Sequence, residues 1–248
     1  MTPDPERMAY WLLKPLNQAV REFGMLADGD RVAVALSGGK DSLSLLRLLD
    51  LRRRSVPERY ELTAVHVLGD GSGALQPHPP LAAWLEANGY ECHFEPFVLA
   101  QDETLPLGCQ RCTWNRRKIL FETAQRLGCN VVAFGHQADD LAQTTLLNLL
   151  YHGAAETMAP RRDFFEGQIR AVRPLCTIPE ADLRRYARAC DFPPPPPACP
   201  QAETSRRRLA ADLLHQALRA TPAARTNLLR AGIRYLNAAR PNTGQAKR

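Results

Sequence analysis

Six consecutive residues, Ser37-Gly38-Gly39-Lys40-Asp41-Ser42, place hydroxyls, glycines, a cation and a carboxylate where an apolar run stops. The run itself, Val32-Ala33-Val34-Ala35-Leu36, reads as a buried strand, and Leu43, Leu45, Leu46, Leu48 and Leu49 follow at helical spacing. A strand, a tight turn and a helix start leave backbone N–H groups at the positive end of a helix dipole, a setting that suits phosphate. Gly38 and Gly39 let the backbone approach an anion with no Cβ in the way. Lys40 adds a point charge, and Ser37 and Ser42 add donors. The spacing is neither Gly-x-x-x-x-Gly-Lys-Ser/Thr nor Gly-x-Gly-x-x-Gly, so two common nucleotide loops are excluded.

Two further clusters carry chemistry. Cys109-Gln110-Arg111-Cys112 opens a helical pattern that continues through Arg116, Arg117 and Lys118, and Cys199 stands far downstream in Pro-Ala-Cys-Pro. Three thiolates, two at Cys-x-x-Cys spacing and one remote, can hold a metal or three corners of an iron–sulfur cluster; a redox disulfide and incidental cysteines are the other readings. Cys92, Cys129, Cys176 and Cys190 sit in apolar surroundings and read as small buried hydrophobes. The second cluster, Gly135-His136-Gln137-Ala138-Asp139-Asp140, leaves a strand and heads a helix. Paired carboxylates there can cap the helix, or hold magnesium against nucleotide phosphates.

Strands alternating with helices must position these groups. A leading helix is expected over 6–23, strands over 61–68, 91–97, 130–134 and 169–172, and helices over 80–88, 110–127 and 138–151. The expected α/β fold is a parallel sheet covered by helices on both faces, with ligands beyond the carboxyl ends of the strands. Gly69-Asp70-Gly71-Ser72-Gly73 reads as a flexible loop. The five-proline run Pro193–Pro197 reads as a stiff spacer, dividing an α/β body (1–192) from a segment (193–248) with helices over 203–219 and 223–239.

The 248 residues are 45% hydrophobic, with seven cysteines and no apolar run long enough to cross a bilayer, so a cytoplasmic globular protein without a disulfide framework is expected. The net charge of +6 is uneven: from Arg184 onward there are 13 Lys/Arg against 3 Asp/Glu, and before it 19 against 23. That basic third suits a polyanionic partner, and equally an arginine-rich solvated surface.

Ser37 to Ser42 resembles the pyrophosphate-binding loop of the ATP pyrophosphatases. With the Cys-x-x-Cys followed by Arg116-Arg117, the Gly-His-x-x-Asp-Asp helix start, Gln143-Thr144, Asn148 and the late cysteine, the chain resembles the tRNA 2-thiocytidine synthetases over roughly residues 15 to 205. These are relatives of the tRNA 2-thiouridine synthetases. The resemblance implies the adenine-nucleotide α-hydrolase (PP-loop) fold, with Ser37, Gly38, Gly39, Lys40 and Ser42 on ATP phosphates, Val65, His66 and Val67 against adenine, and Gly135 and His136 beside the nucleotide. It implies Asp41, Asp139 and Asp140 around Mg2+ and the reacting centre, and Arg116 as the cationic neighbour of a 4Fe-4S cluster on Cys109, Cys112 and Cys199, with one iron free to carry sulfide. ATP adenylates the C2 oxygen of a tRNA base, cytidine 32 foremost, and sulfur replaces AMP. A cysteine desulfurase or free sulfide supplies the sulfur, and a homodimer is implied. RNA phosphates would meet Arg117, Lys118, Arg184, Arg185, Arg206, Arg207 and Arg208, and Trp114 is a candidate for stacking a base. Gln137 departs from a histidine common in the family, and the terminal cysteine pairs of the finger-bearing 2-thiouridine enzymes are missing. The competing readings are a 2-thiouridine synthetase, a lysidine-synthetase-like or small-molecule ATP pyrophosphatase, and a non-catalytic RNA-binding protein.

Overall fold

Residues 4–69, 77–99, 103, 107–197 and 206–239 are described by a computed structural model. The described elements run α1 (Pro5–Glu22), β1 (Asp30–Ala35), α2 (Lys40–Arg53), β2 (Tyr60–Val67), α3 (Pro79–Ala87), β3 (Cys92–Glu95), α4 (Cys109–Arg126), β4 (Val131–Phe134), α5 (Ala138–His152), β5 (Arg161–Phe164), β6 (Ile169–Val172), α6 (Glu180–Ala189), α7 (Arg206–Ala220) and α8 (Ala224–Ala239). The sheet order is β3-β2-β1-β4-β6-β5, parallel except for β5. Strand addition reverses between β1 and β4, which opens a crevice beyond their carboxyl ends.

Side-chain alternation along β1 distributes the two cores. Val32 and Val34 pack with Leu16 of α1, Leu45 and Leu48 of α2 and Leu183 of α6. Ala33 faces the other way, with Val132 and Phe134 of β4 and Leu120 and Ala124 of α4. Asp4 caps α1, whose Pro5 stands at a position where its missing N–H is harmless.

Most expected elements occur with ends shifted by one or two residues. Two were not anticipated. β5 is an antiparallel edge strand, so the sheet is mixed; its Arg161-Arg162-Asp163-Phe164 sequence is polar, as an edge strand facing solvent tolerates. α6 buries only Leu183 and Tyr186, too short an apolar stripe to stand out from its arginines. Most of the expected 69–73 loop, Cys199 and the proposed start of the first C-terminal helix lie outside the described residues.

The proline run is more than a spacer. A Cβ on Gly38 would stand 2.8 Å from Pro196 Cδ and Cγ, so the run lies directly on the loop after β1. The Pro194 carbonyl also lies 3.1 Å from His78 Nε2. Beyond it, α7 and α8 pack on α5. Gly232 of α8 allows that approach: a Cβ there would come within 2.6 Å of the Thr157 side chain and 2.7 Å of Thr145 Oγ1.

Candidate active site

The loops leaving β1 and β4 meet at the crevice. Gly135 lies so close to the first turn of α2 that a Cβ on it would stand 3.0 Å from the Ser42 Cα and N. The Ser37 and Ser42 hydroxyls lie 3.1 Å apart, Ser42 Oγ donates to the Gly39 carbonyl at 2.9 Å, and Gly39 N–H donates to Ser37 Oγ at 3.3 Å. These bonds set the loop's shape from within. No side chain caps α2, so its first N–H groups remain for an anion.

A cleft of about 400 Å³ lies in front of this loop. Ser37, Asp41, Ser42, Gly135 and His136 line one side; Thr113, Arg116 and Arg117 of α4 line the other; Arg207 of α7 joins them. Helix α4 begins with Cys109 and Cys112, three residues apart and therefore on one side of its first turn. The end of a helix that favours anions also favours thiolates. Cys109 is exposed and Cys112 half-buried, so both can reach a ligand.

Charge in the cleft is arranged against its neighbours. Lys40 Nζ lies 3.0 Å from Asp41 Oδ2 and 2.9 Å from Glu180 Oε1 of α6. Burial pulls the Lys40 pKa down, but Asp41 and Glu180 outweigh it and leave the ammonium more firmly protonated than usual. Asp140 Oδ2 accepts the Gln137 N–H at 3.0 Å, closing a capping box. Burial nevertheless pushes its carboxyl up to about 6, with Asp41 repelling it further. Burial also raises Asp41, against the pull of Lys40. Asp41 thus disfavours charge on Asp140, as Glu180 does on Asp41. His136 is driven down to about 3, by burial and then by Arg173, Arg117 and Arg207. It is neutral at physiological pH, and its buried Nδ1 has no hydrogen-bond partner among the described residues.

Several expected site residues stand elsewhere. Asp139 does not share the site with Asp140: its Oδ2 accepts the Glu180 N–H at 2.9 Å and lies 2.9 Å from Arg225 Nε of α8. Val65 is fully buried in the sheet, and the His66 ring is bonded to the Leu36 carbonyl at 2.8 Å; Val67 is the β2 residue that reaches the cleft. Arg116 holds the end of β2, donating to the Val67 and Gly69 carbonyls, while still lining the cleft. Of the arginines expected to meet RNA, Arg117 and Arg207 converge on the cleft. Lys118, Arg184, Arg185 and Arg208 pair with carboxylates on their own helices, and Arg206 lies over the Tyr151 ring. Trp114 is not a core residue: it is 51% exposed, with Arg111 over its ring. Glu180 and Arg173 were not anticipated, because nothing local in the sequence marks their long-range contacts.

A strand–loop–helix phosphate loop at the switch point of this mostly parallel sheet gives the chain the PP-loop fold. No family model matches the chain. The tRNA-cytidine(32) 2-sulfurtransferase of Geobacter sulfurreducens is 37% identical over 224 residues, spanning 87% of this chain and 86% of that protein. The one from Anaeromyxobacter sp. is 34% identical over 236 residues, spanning 91% and 79%. The U34-tRNA thiolase NcsA from Methanococcus maripaludis, solved with its 4Fe-4S cluster, shares the fold at a TM-score of 0.76 and 22% identity, covering 96% of this chain and 84% of that one. The chain belongs to the tRNA-cytidine(32) 2-sulfurtransferase family.

Proposed function

We propose that this protein uses ATP to replace the C2 oxygen of a tRNA cytidine, at position 32, with sulfur. The observation that carries the reading is the convergence of two machineries on one cleft: the phosphate loop on one wall and the Cys-x-x-Cys helix, through Thr113, Arg116 and Arg117, on the other.

The base's C2 oxygen attacks the α-phosphorus of ATP, the α–β bridge breaks, and pyrophosphate leaves. Lys40, the first N–H groups of α2 and the Ser37 and Ser42 hydroxyls meet the charge on the departing group, where preorganised donors act most strongly. A sulfur nucleophile then displaces AMP at C2, the thiocarbonyl replaces the carbonyl, and no net redox change is needed. Asp41 and Asp140 would hold Mg2+, which supplies positive charge against the triphosphate. Their raised pKa values fit that role, since a cation would offset the burial that disfavours both charges. Asp139, tied to Arg225, is left out of the magnesium set.

Cys109 and Cys112, at the α4 N-terminus, fit two thiolate ligands of a 4Fe-4S cluster, and Cys199, outside the described residues, is assigned as the third. Such a cluster supplies an iron without a protein ligand on which sulfur can be carried. Neutral His136 cannot attract an anion by charge, so it positions by hydrogen bonding. A cysteine desulfurase or free sulfide would be the sulfur source, a homodimer the assembly, and residues 193–248 a proline linker, third cluster cysteine and basic helical segment. Among the described residues no helix is long and apolar enough to cross a membrane.

The test is anaerobic purification with iron and sulfide analysis of the native chain and of Cys109→Ala and Cys199→Ala, followed by nucleoside analysis of tRNA treated with ATP and sulfide. The reading expects about four iron per chain, lost in both variants, and 2-thiocytidine formed only with the native protein. A colourless protein that cannot be reconstituted would overturn the cluster assignment, and thiolated uridine would overturn the cytidine assignment.

A further inference from the structure

The β5–β6 hairpin closes through Phe165, Glu166 and Gly167, with φ of 52°, 55° and 88°. Glycine and asparagine take that left-handed conformation easily; a phenylalanine there is an outlier that costs energy. The strain holds an aromatic ring outward, with Phe165 58% exposed. Beneath it, Phe121 of α4 and Phe164 of β5 form a ledge, with ring centroids 4.9 Å apart and Phe165 edge-on to Phe121 at 5.9 Å.

A row of guanidiniums leads from the cleft to this ledge. Arg207 and Arg117 line the cleft, and Arg162 of β5 lies over the Phe164 ring at 5.2 Å. Arg173, 8% exposed, stands by Phe134, and its Nε has no partner among the described residues. The charged groups pressing on Arg117 are Arg207 and Arg162, and those on Arg173 are Arg117 and Arg162, with only the Cys176 thiol opposing. Among the described residues no carboxylate figures in either set. Arg207 also faces the Asp140 carboxylate, but guanidiniums gathered beside an exposed aromatic ring match a single-stranded nucleic acid, whose phosphates need cations and whose bases need flat apolar faces. A protein partner would have to bring several carboxylates at the same spacing.

We propose that the RNA strand flanking the reacting nucleotide leaves the cleft past Arg117 and Arg207, crosses Arg162, and stacks an unpaired base on Phe165. The proposal rests on the tRNA reading and extends it to a binding track along the β5 edge. By register, Arg162 pairs with Ala171 near the cleft end of β6 and Phe164 with Ile169 at its start, so the track descends the sheet by about 7 Å.

Phe165→Gly tests it, because glycine accepts the left-handed turn. Binding of a fluorescent, unmodified anticodon stem-loop RNA to the full chain is measured with the melting temperature and the ATP dissociation constant. The expected result is RNA binding weaker by about 5- to 100-fold, the loss typical of one base–aromatic stack, with unchanged ATP binding and a melting temperature at or above the native value. Phe165→Trp should restore RNA affinity, and Arg162→Gln should flatten the log–log salt slope by about one contact, roughly 0.7 to 0.9. Native RNA affinity in Phe165→Gly overturns the track, as does a lowered melting temperature, which would make Phe165 a packing residue. A changed oligomer size with native RNA affinity also overturns it, in favour of a protein contact. A native chain that binds ATP but no RNA refutes the tRNA reading itself.

Discussion

Asp140 sets up an opposition between stability and function whose size follows from its surroundings. Its carboxyl is raised to about 6 by burial first and by Asp41 second, against the opposing Gln137 N–H, Arg207 and Lys40. Between the ordinary aspartate range and about 6, the folded chain keeps a proton that the unfolded chain releases, so stability falls as pH rises through that window. Above it the full penalty is present, about 3 kcal/mol for such a shift. Asp140 retains some solvent contact, and screening reduces the expected penalty to about 1–2 kcal/mol. Asp140→Asn removes the charge while its Oδ1 can still accept the Gln137 N–H, so the helix cap survives. The variant should melt about 2–8 °C above the native chain at pH 7.5, with the gain fading toward pH 4. Magnesium and ATP should raise the native melting temperature more than the variant's, and thiolation should be lost. Scanning calorimetry across pH 4–8 decides it. A variant no more stable than native at pH 7.5, or a gain independent of pH, would refute the argument that Asp140 is a destabilised charge awaiting a cation.

Gly135→Ala puts a methyl 3.0 Å from Ser42 backbone, which cannot swing aside as a side chain would. Prising the β4 loop from α2 should cost about 1–3 kcal/mol, read as ATP affinity lowered by roughly 10- to 100-fold in calorimetric titration. Arg225→Ala strands the buried Asp139 carboxylate, left with the Glu180 N–H. A loss of about 2–4 kcal/mol is expected in urea unfolding, and adding Asp139→Asn should recover part of it. Glu180→Gln frees Lys40 from a carboxylate at 2.9 Å, so ATP should bind a few-fold tighter by the same titration; weaker binding would show that Glu180 positions Lys40 rather than competes for it.

The phosphate loop, the Cys-x-x-Cys helix start and the β4–α5 junction were legible in the sequence because each is local. Glycine spacing, a helix onset and an apolar run are all written within ten residues. What escaped depends on pairing at a distance. Asp139 and Asp140 are adjacent and read alike, yet successive positions on a helix face different neighbours; one meets α8 and the other the cleft. Val65 and Val67 share a face of β2, and depth alone separates them. β5 shows no alternation because it is only four residues long and three of them are charged. The proline run announced rigidity but not that Pro196 lies on Gly38.

The layout of charge explains how one cleft could take two polyanions. ATP and RNA repel each other, and a uniformly basic pocket would bind either without ordering them. Here the cations differ in kind by wall. The phosphate-loop wall offers Lys40 and uncapped N–H groups, a compact field suited to a pyrophosphate. The α4 wall offers guanidiniums with no nearby acid, spread along an edge and suited to successive phosphodiesters. Asp41 and Asp140 lie on the first wall, and without a cation they would repel a triphosphate. A magnesium ion held there would reverse that sign for ATP alone, because the arginine row is out of the carboxylates' reach except at Arg207. Arg207 acts on both Asp140 and Arg117. Nucleotide binding at Asp140 is therefore felt first, on the RNA side, at Arg207, and ATP should change RNA affinity more in the native chain than in Arg207→Gln.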